Sequence, residues 1–167
     1  MCAWLTEPAS LTLRCQRHCR QFRVRLLSYG RGQPLADDGL VPESRQGPAM
    51  IREVALECDG VPVIFAHTSL RTAQRGRLGS WLARLGSRSL GSLLFAFPGF
   101  RRGAIEFLRL DARHPLFRRA AALGPVGRHL WARRSAHCLD GQQVVVTEVF
   151  LPAIGRLKLA ENSADKE

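Results

Sequence analysis

The chain has 167 residues, 46% hydrophobic and 23% charged, which fits one globular domain with a real core and excludes a disordered or fibrous chain. Its 25 lysines and arginines against 14 acids leave a formal charge of +11, yet the basic residues run dispersed from Arg14 to Lys166 with no zinc-finger, helix-turn-helix or RNA-binding signature. No apolar run is long enough for a membrane span and the start "MCAWLTEPAS" lacks the regions of a signal peptide, so the expectation is a cytoplasmic monomer without nucleic acid or stable membrane insertion.

Ser10 is placed to cap a helix over Leu11–Arg20. Within it, Cys15-x-x-His18-Cys19 has the look of half a metal site, but no second ligand pair stands at suitable spacing, so no metal is expected. Five cysteines, an odd number, are expected as free thiols. "FRVRLLS" (Phe22–Ser28) alternates as a strand, and residues 30–48, rich in Gly, Pro and Asp, read as an irregular loop. Met50–Cys58 and Val61–Thr68 flank Asp59-Gly60, a strong hairpin signal. Leu78, Trp81, Leu82 and Leu85 recur at helical spacing and predict a helix over Ala73–Leu85, followed by a shorter one over Leu90–Phe95.

Ala104–Leu110 is a further strand, and "HPLFRRAAALG" carries Pro115 where a first helical turn accepts it. A second Asp-Gly turn joins Trp131–Leu139 to Gln142–Leu151, and residues from about 160 to 167 read as a frayed tail. Hairpins dominate and no strand–helix–strand unit repeats, so the fold class is α+β: a single domain over residues 1–167, with an antiparallel sheet and helices against one face.

Two charges break the patterning. In "VVVTEVF", Glu148 shares a strand face with Val144, Val146 and Phe150; in "MIREVALEC", Arg52 shares one with Met50, Val54, Leu56 and Cys58. Two-residue turns in both hairpins would set Arg52 opposite His67 and Glu148 opposite Arg133. Two readings are open from the residues themselves. Either these are cross-strand ion pairs, seldom a net gain once desolvation is counted, or they line an apolar pocket. In the second case Arg52 clamps a ligand carboxylate and Glu148 accepts from a hydroxyl or handles a proton at the other end.

The stretches "MIREVALECDGVPVIFAHTSL", "LARLGSRSLGSLLF", "AIEFLRL", "LWARRS" and "VVVTEVFLP" together resemble the chorismate lyase (chorismate pyruvate-lyase) family over most of Met50–Pro152, with "SLTLR" at Ser10–Arg14 resembling its N-terminal substrate-contacting segment. The resemblance implies a cofactor-free lyase converting chorismate to 4-hydroxybenzoate and pyruvate, the step that supplies the ubiquinone ring. It also implies an antiparallel sheet of about six strands, with helices and loops closing over a buried ligand site. By the same resemblance, Arg52 and the backbone amides of Leu11 and Leu90 hold the product carboxylate, and Glu148 engages its hydroxyl. Arg52 and Glu148 are then the catalytic pair, with His67 and Arg133 as further substrate-binding candidates.

Three departures stand out. His67 occupies a position where members often carry arginine. The chain starts closer to the substrate-contacting segment than is usual, which predicts loss of a preceding helix. The stretch "ARHPLFRRAAALGPVGRH" is long for the family and is expected as a lid or surface helix. Two other classes are carried beside the lyase: a non-catalytic aromatic-acid sensor of the same fold, and a basic nucleic-acid-binding protein.

Overall fold

The computed structural model describes residues 2–38, 48–71, 77–88, 90, 101–139 and 142–157. Residues 39–47 of the 30–48 loop, the expected helix beyond Leu90, the second Asp-Gly turn and the polar tail lie outside the described residues. In chain order the elements are α1 (Cys2–Leu5), α2 (Leu11–Gln16), β1 (Phe22–Gly32), β2 (Ala49–Cys58), β3 (Val61–Arg71) and α3 (Arg77–Arg84). They continue with β4 (Arg101–Leu110), α4 (Pro115–Ala121), β5 (Leu130–Leu139), β6 (Gln142–Phe150) and a 3-10 turn over Pro152–Arg156.

The strands form one six-stranded antiparallel sheet in the order β1-β2-β3-β6-β5-β4. Local chemistry sets the ends of its elements. Ser10 has extended backbone and its Oγ accepts from the Leu13 N–H, capping α2, which is shorter than the sequence spacing predicts. The β2–β3 turn places both Asp59 (φ 50°) and Gly60 (φ 80°) in the left-handed region, as a hairpin of matching twist requires. Asp59 Oδ1 further accepts from the amides of Arg20 and Gln21, at 3.0 and 2.8 Å, fastening the end of β1 to that turn.

The β2–β3 ladder departs from the simple hairpin count. Cys58 pairs with Val61 and Glu57 with Pro62, but Leu56 pairs with Ile64, so Val63 is an extra residue on β3. Pro62, which has no N–H to give the ladder, sits beside this bulge. From there on every partner is displaced by one: Arg52 faces Thr68, and His67 faces Glu53. The expected Arg52–His67 pairing is therefore corrected. The β5–β6 ladder has no such insertion, and Arg133 faces Glu148 as the spacing predicts.

Both faces of the sheet are covered. On one, α1, α2 and the 3-10 turn pack Trp4, Leu5, Leu11, Cys15 and Ile154 onto Val24, Val54, Leu56 and Phe150. On the same face, Leu82 and Leu85 from α3 and its end pack with Leu70, Leu90 and Val144. On the other face, α4 buries Leu116, Phe117 and Ala120 against Phe65, Ala132 and Val149. The helices thus lie on two faces rather than one. The inserted stretch is no lid, since α4 is core for the face opposite the cavity. A single helical turn, α1, stands ahead of α2.

Candidate active site

The face under α1 and α2 holds a small cavity of about 60 Å³ that opens to solvent. Its walls are apolar side chains, among them Val24, Val54, Leu56, Ala66, Leu90 and Val146. Strand alternation brings the charged groups to it: Arg52 from β2, Glu148 from β6, Arg133 and His137 from β5, and Arg102 from β4. Leu11 and Leu90 also line it, so five of the six sequence candidates meet in one space. Arg52 and Glu148 stand two strands apart and two residues along the sheet, roughly 12 Å between Cα atoms from strand spacing and rise.

Arg52 is 2% exposed. Its Nη2 donates to the carbonyls of Gly86 and Arg88, at 2.9 and 2.8 Å, which ties the guanidinium to the turn behind α3. Its buried Nε has no hydrogen-bond partner, an orphaned donor on a charged group in an apolar-walled cavity. Burial lowers its pKa to about 10, with Tyr29 opposing the shift, so it stays cationic at neutral pH.

The other end is built differently. Glu148 Oε2 accepts from Arg133 Nε at 2.6 Å, and Arg133 Nη1 donates to the Glu7 carbonyl in the segment between α1 and α2. Arg102 donates from Nε to Ser135 Oγ (3.3 Å) and from Nη1 to the Pro8 carbonyl (3.0 Å). The same cationic pair therefore anchors the chain segment that roofs the cavity. Ser135 Oγ lies 2.9 Å from His137 Nε2. Burial, then the charges of Arg102 and Arg133, depress His137 to about 4, so its imidazole is neutral across ordinary pH. Leu11 and Thr12 open α2 and line the cavity.

His67 is the sixth candidate, and the bulge removes it from this space. It lies on the opposite face, 1% exposed, with Nδ1 2.9 Å from Glu53 Oε1 and Nε2 3.9 Å from Asp38 Oδ2. Asp38 also accepts from Ser69 Oγ and the Leu35 amide, and Glu53 from Arg119 Nη1 and Ser28 Oγ. Burial alone would lower His67, but the nearby carboxylates of Asp38 and Glu53, the latter hydrogen-bonded to Nδ1, outweigh it and raise the group above its usual range. Burial likewise pushes Asp38 and Glu53 upward, and their cationic and hydrogen-bond partners overcome it, holding both below their usual range.

Protonated His67 contributes stability that is full below about pH 6.5 and lost as pH rises through its folded value. The two carboxylates contribute stability that is present above about pH 4.3 and lost as pH falls. We expect His67→Ala to cost about 3 kcal/mol, because it strands the buried Asp38 carboxylate. The loss should shrink toward alkaline pH in denaturant titrations, and KM for substrate should be unchanged. A raised KM in a folded His67→Ala protein would place His67 back among the ligand contacts.

Arg102, Ser135 and His137 were missed from the sequence. The signal for two of them was available: Ser135 and His137 follow Arg133 at i+2 and i+4 and so share its face. Arg102 was not legible, because β4 begins earlier than its apolar pattern and its pairing with β5 is irregular between Arg102 and Ile105.

A family model described as chorismate lyase matches residues 1–157. A relative named "Probable chorismate pyruvate-lyase" from Dechloromonas aromatica is 69% identical over 156 residues, 93% of this chain and 89% of the relative. One of the same name from Methylobacillus flagellatus is 45% identical over 160 residues, again 93% and 89% of the two chains. Among solved structures, the effector domain of PhnF from Mycobacterium smegmatis superposes at a TM-score of 0.55 and 21% identity, over 86% of this chain and 89% of that one, a likeness of fold alone. With residues 1–157 matched and a relative at 69% identity, the chain belongs to the chorismate lyase family and is an enzyme of the lyase class.

Proposed function

We propose that this protein converts chorismate to 4-hydroxybenzoate and pyruvate as a cytoplasmic, cofactor-independent monomer, the product serving as ubiquinone ring precursor. Beyond family membership, the observation that carries the reading is the pairing of a buried Arg52 with an unsatisfied Nε and a carboxylate, Glu148, in one apolar-walled cavity. That combination suits a flat acid with a hydroxyl opposite its carboxylate.

Arg52, with the backbone amides at Leu11 and Leu90, takes the ring carboxylate. Glu148, held by Arg133, accepts from the ring hydroxyl and fixes the ring's orientation. In the reaction the ether C–O bond breaks and its electron pair leaves with the enolpyruvyl group. The neighbouring ring C–H gives its pair to the ring, which becomes aromatic. The enolate then takes a proton at its methylene carbon and becomes pyruvate. Aromatisation supplies the driving force, so the protein's work is to hold the reactive conformer in a dry, charge-matched space. A cavity so shaped also retains the flat product, and product release should limit turnover.

Incubating purified protein with chorismate and following both products tests the reading. A folded sample without turnover overturns it, and binding of 4-hydroxybenzoate without turnover supports the sensor instead.

A further inference from the structure

Among the described residues lining the cavity, three guanidiniums (Arg52, Arg102 and Arg133) face one carboxylate, Glu148, with the neutral His137 beside them. The space therefore carries an excess of two positive charges before anything binds. Uncompensated charges of one sign in an apolar-walled site repel each other and are costly to desolvate. Arg102 shows this, its pKa lowered by burial and then by the charge of Arg133, with Glu148 opposing. A dianion neutralises the excess and a monoanion does not.

The three cations are not equivalent. Arg133 is committed to Glu148 at 2.6 Å, and Arg52, in β2 on the far side of the cavity, is fixed by the carbonyls of Gly86 and Arg88. Arg102 has no carboxylate within ion-pairing distance among the described residues, and its hydrogen bonds go to a hydroxyl and a carbonyl, both neutral acceptors. It reaches the cavity from β4, an edge strand four places from β2 in the sheet, beside Ser135 and His137. A ligand whose ring carboxylate rests on Arg52 thus meets Arg102 only through a second anionic group.

We propose that Arg102 binds the enolpyruvyl carboxylate of chorismate, with Ser135 orienting its guanidinium, and so distinguishes the dianionic substrate from the monoanionic aromatic product. The assignment rests on the function proposed above and deepens it. Once the ether is cleaved, the second carboxylate departs with pyruvate, and 4-hydroxybenzoate is left with its carboxylate and hydroxyl contacts but none to Arg102. Substrate affinity therefore depends on Arg102, and product affinity does not.

The experiment compares wild type with Arg102→Gln and Arg102→Lys, measuring kcat and KM for chorismate and the inhibition constant of added 4-hydroxybenzoate. Arg102→Gln should raise KM by about tenfold to a hundredfold, the range of a lost hydrogen bond to a charged group, while the product's inhibition constant stays within about twofold. Arg102→Lys keeps the charge without the planar fork and should recover part of the KM. It also carries the test if the glutamine variant fails to fold. A variant that raises KM and the inhibition constant in parallel, as a general loosening of the Pro8 segment would, overturns the assignment, and so does an unchanged KM. Either result with an active wild type leaves the lyase reading standing; a wild type without turnover removes both.

Discussion

Replacing Arg52 with alanine should lower kcat/KM for chorismate by about a thousandfold in a protein that still folds. The estimate follows from a two-pronged, charge-assisted contact in a buried site, on the order of 4 kcal/mol in transition-state binding. The guanidinium is 2% exposed, so water does not replace it cheaply. A second effect adds to the first. Arg52 holds the carbonyls of Gly86 and Arg88, and without it the turn leading to Leu90 loses its anchor on the cavity wall. Arg52→Lys restores a charge but not the fork, and we expect it to recover only a small part. Steady-state kinetics beside a denaturation curve checks this, and a folded alanine variant within about tenfold of wild type would show that the ring carboxylate sits elsewhere.

Glu148→Gln should lower kcat by about a hundredfold with no rise in KM, a range set by losing one charge-assisted contact to the reacting ring. The amide keeps the shape and can still accept from Arg133 through its oxygen, so the fold survives. What it loses is the negative charge that balances Arg133, whose side chain is only 3% exposed, and that in the proposed reading orients the ring hydroxyl. Removing a negative charge also makes the cavity more attractive to a dianion, which is why KM should not climb. If kcat is retained, Glu148 serves only to neutralise Arg133, the structural ion pair that periodicity alone left open. Alanine is the harsher change, because it strands the Arg133 charge outright and mixes lost stability with lost turnover.

Period-two patterning and the Asp-Gly turns carried most of the sheet. Wherever one face of a strand is buried, its side-chain alternation is dictated by burial itself, so Arg52 and Glu148 could be placed on the cavity face from the sequence. The β5–β6 register followed from the same rule, and it predicted the Arg133–Glu148 pair that the structure contains.

The rule failed at Val63. A bulge is one extra residue in a ladder, and its cost depends on how β3 packs between β2 and β6, not on the local residues alone. That single residue moves His67 to the opposite face, into an ionic cluster with Asp38 and Glu53. It converts an expected ligand contact into a stability element. Pro62, unable to donate to the ladder, was the one local hint.

By itself the sequence determined the fold class, the hairpins, the capped start of α2 and the odd charges facing inward, because each follows from local geometry and the period of the backbone. The tertiary structure alone decided which cations share the cavity. Arg102, on an edge strand, is far in sequence from Arg52, and sheet order brings both to one space while α4, between β4 and β5, packs against the other face. Charge balance in a cavity is a sum over strands that meet only after folding, so no window of the chain could display it.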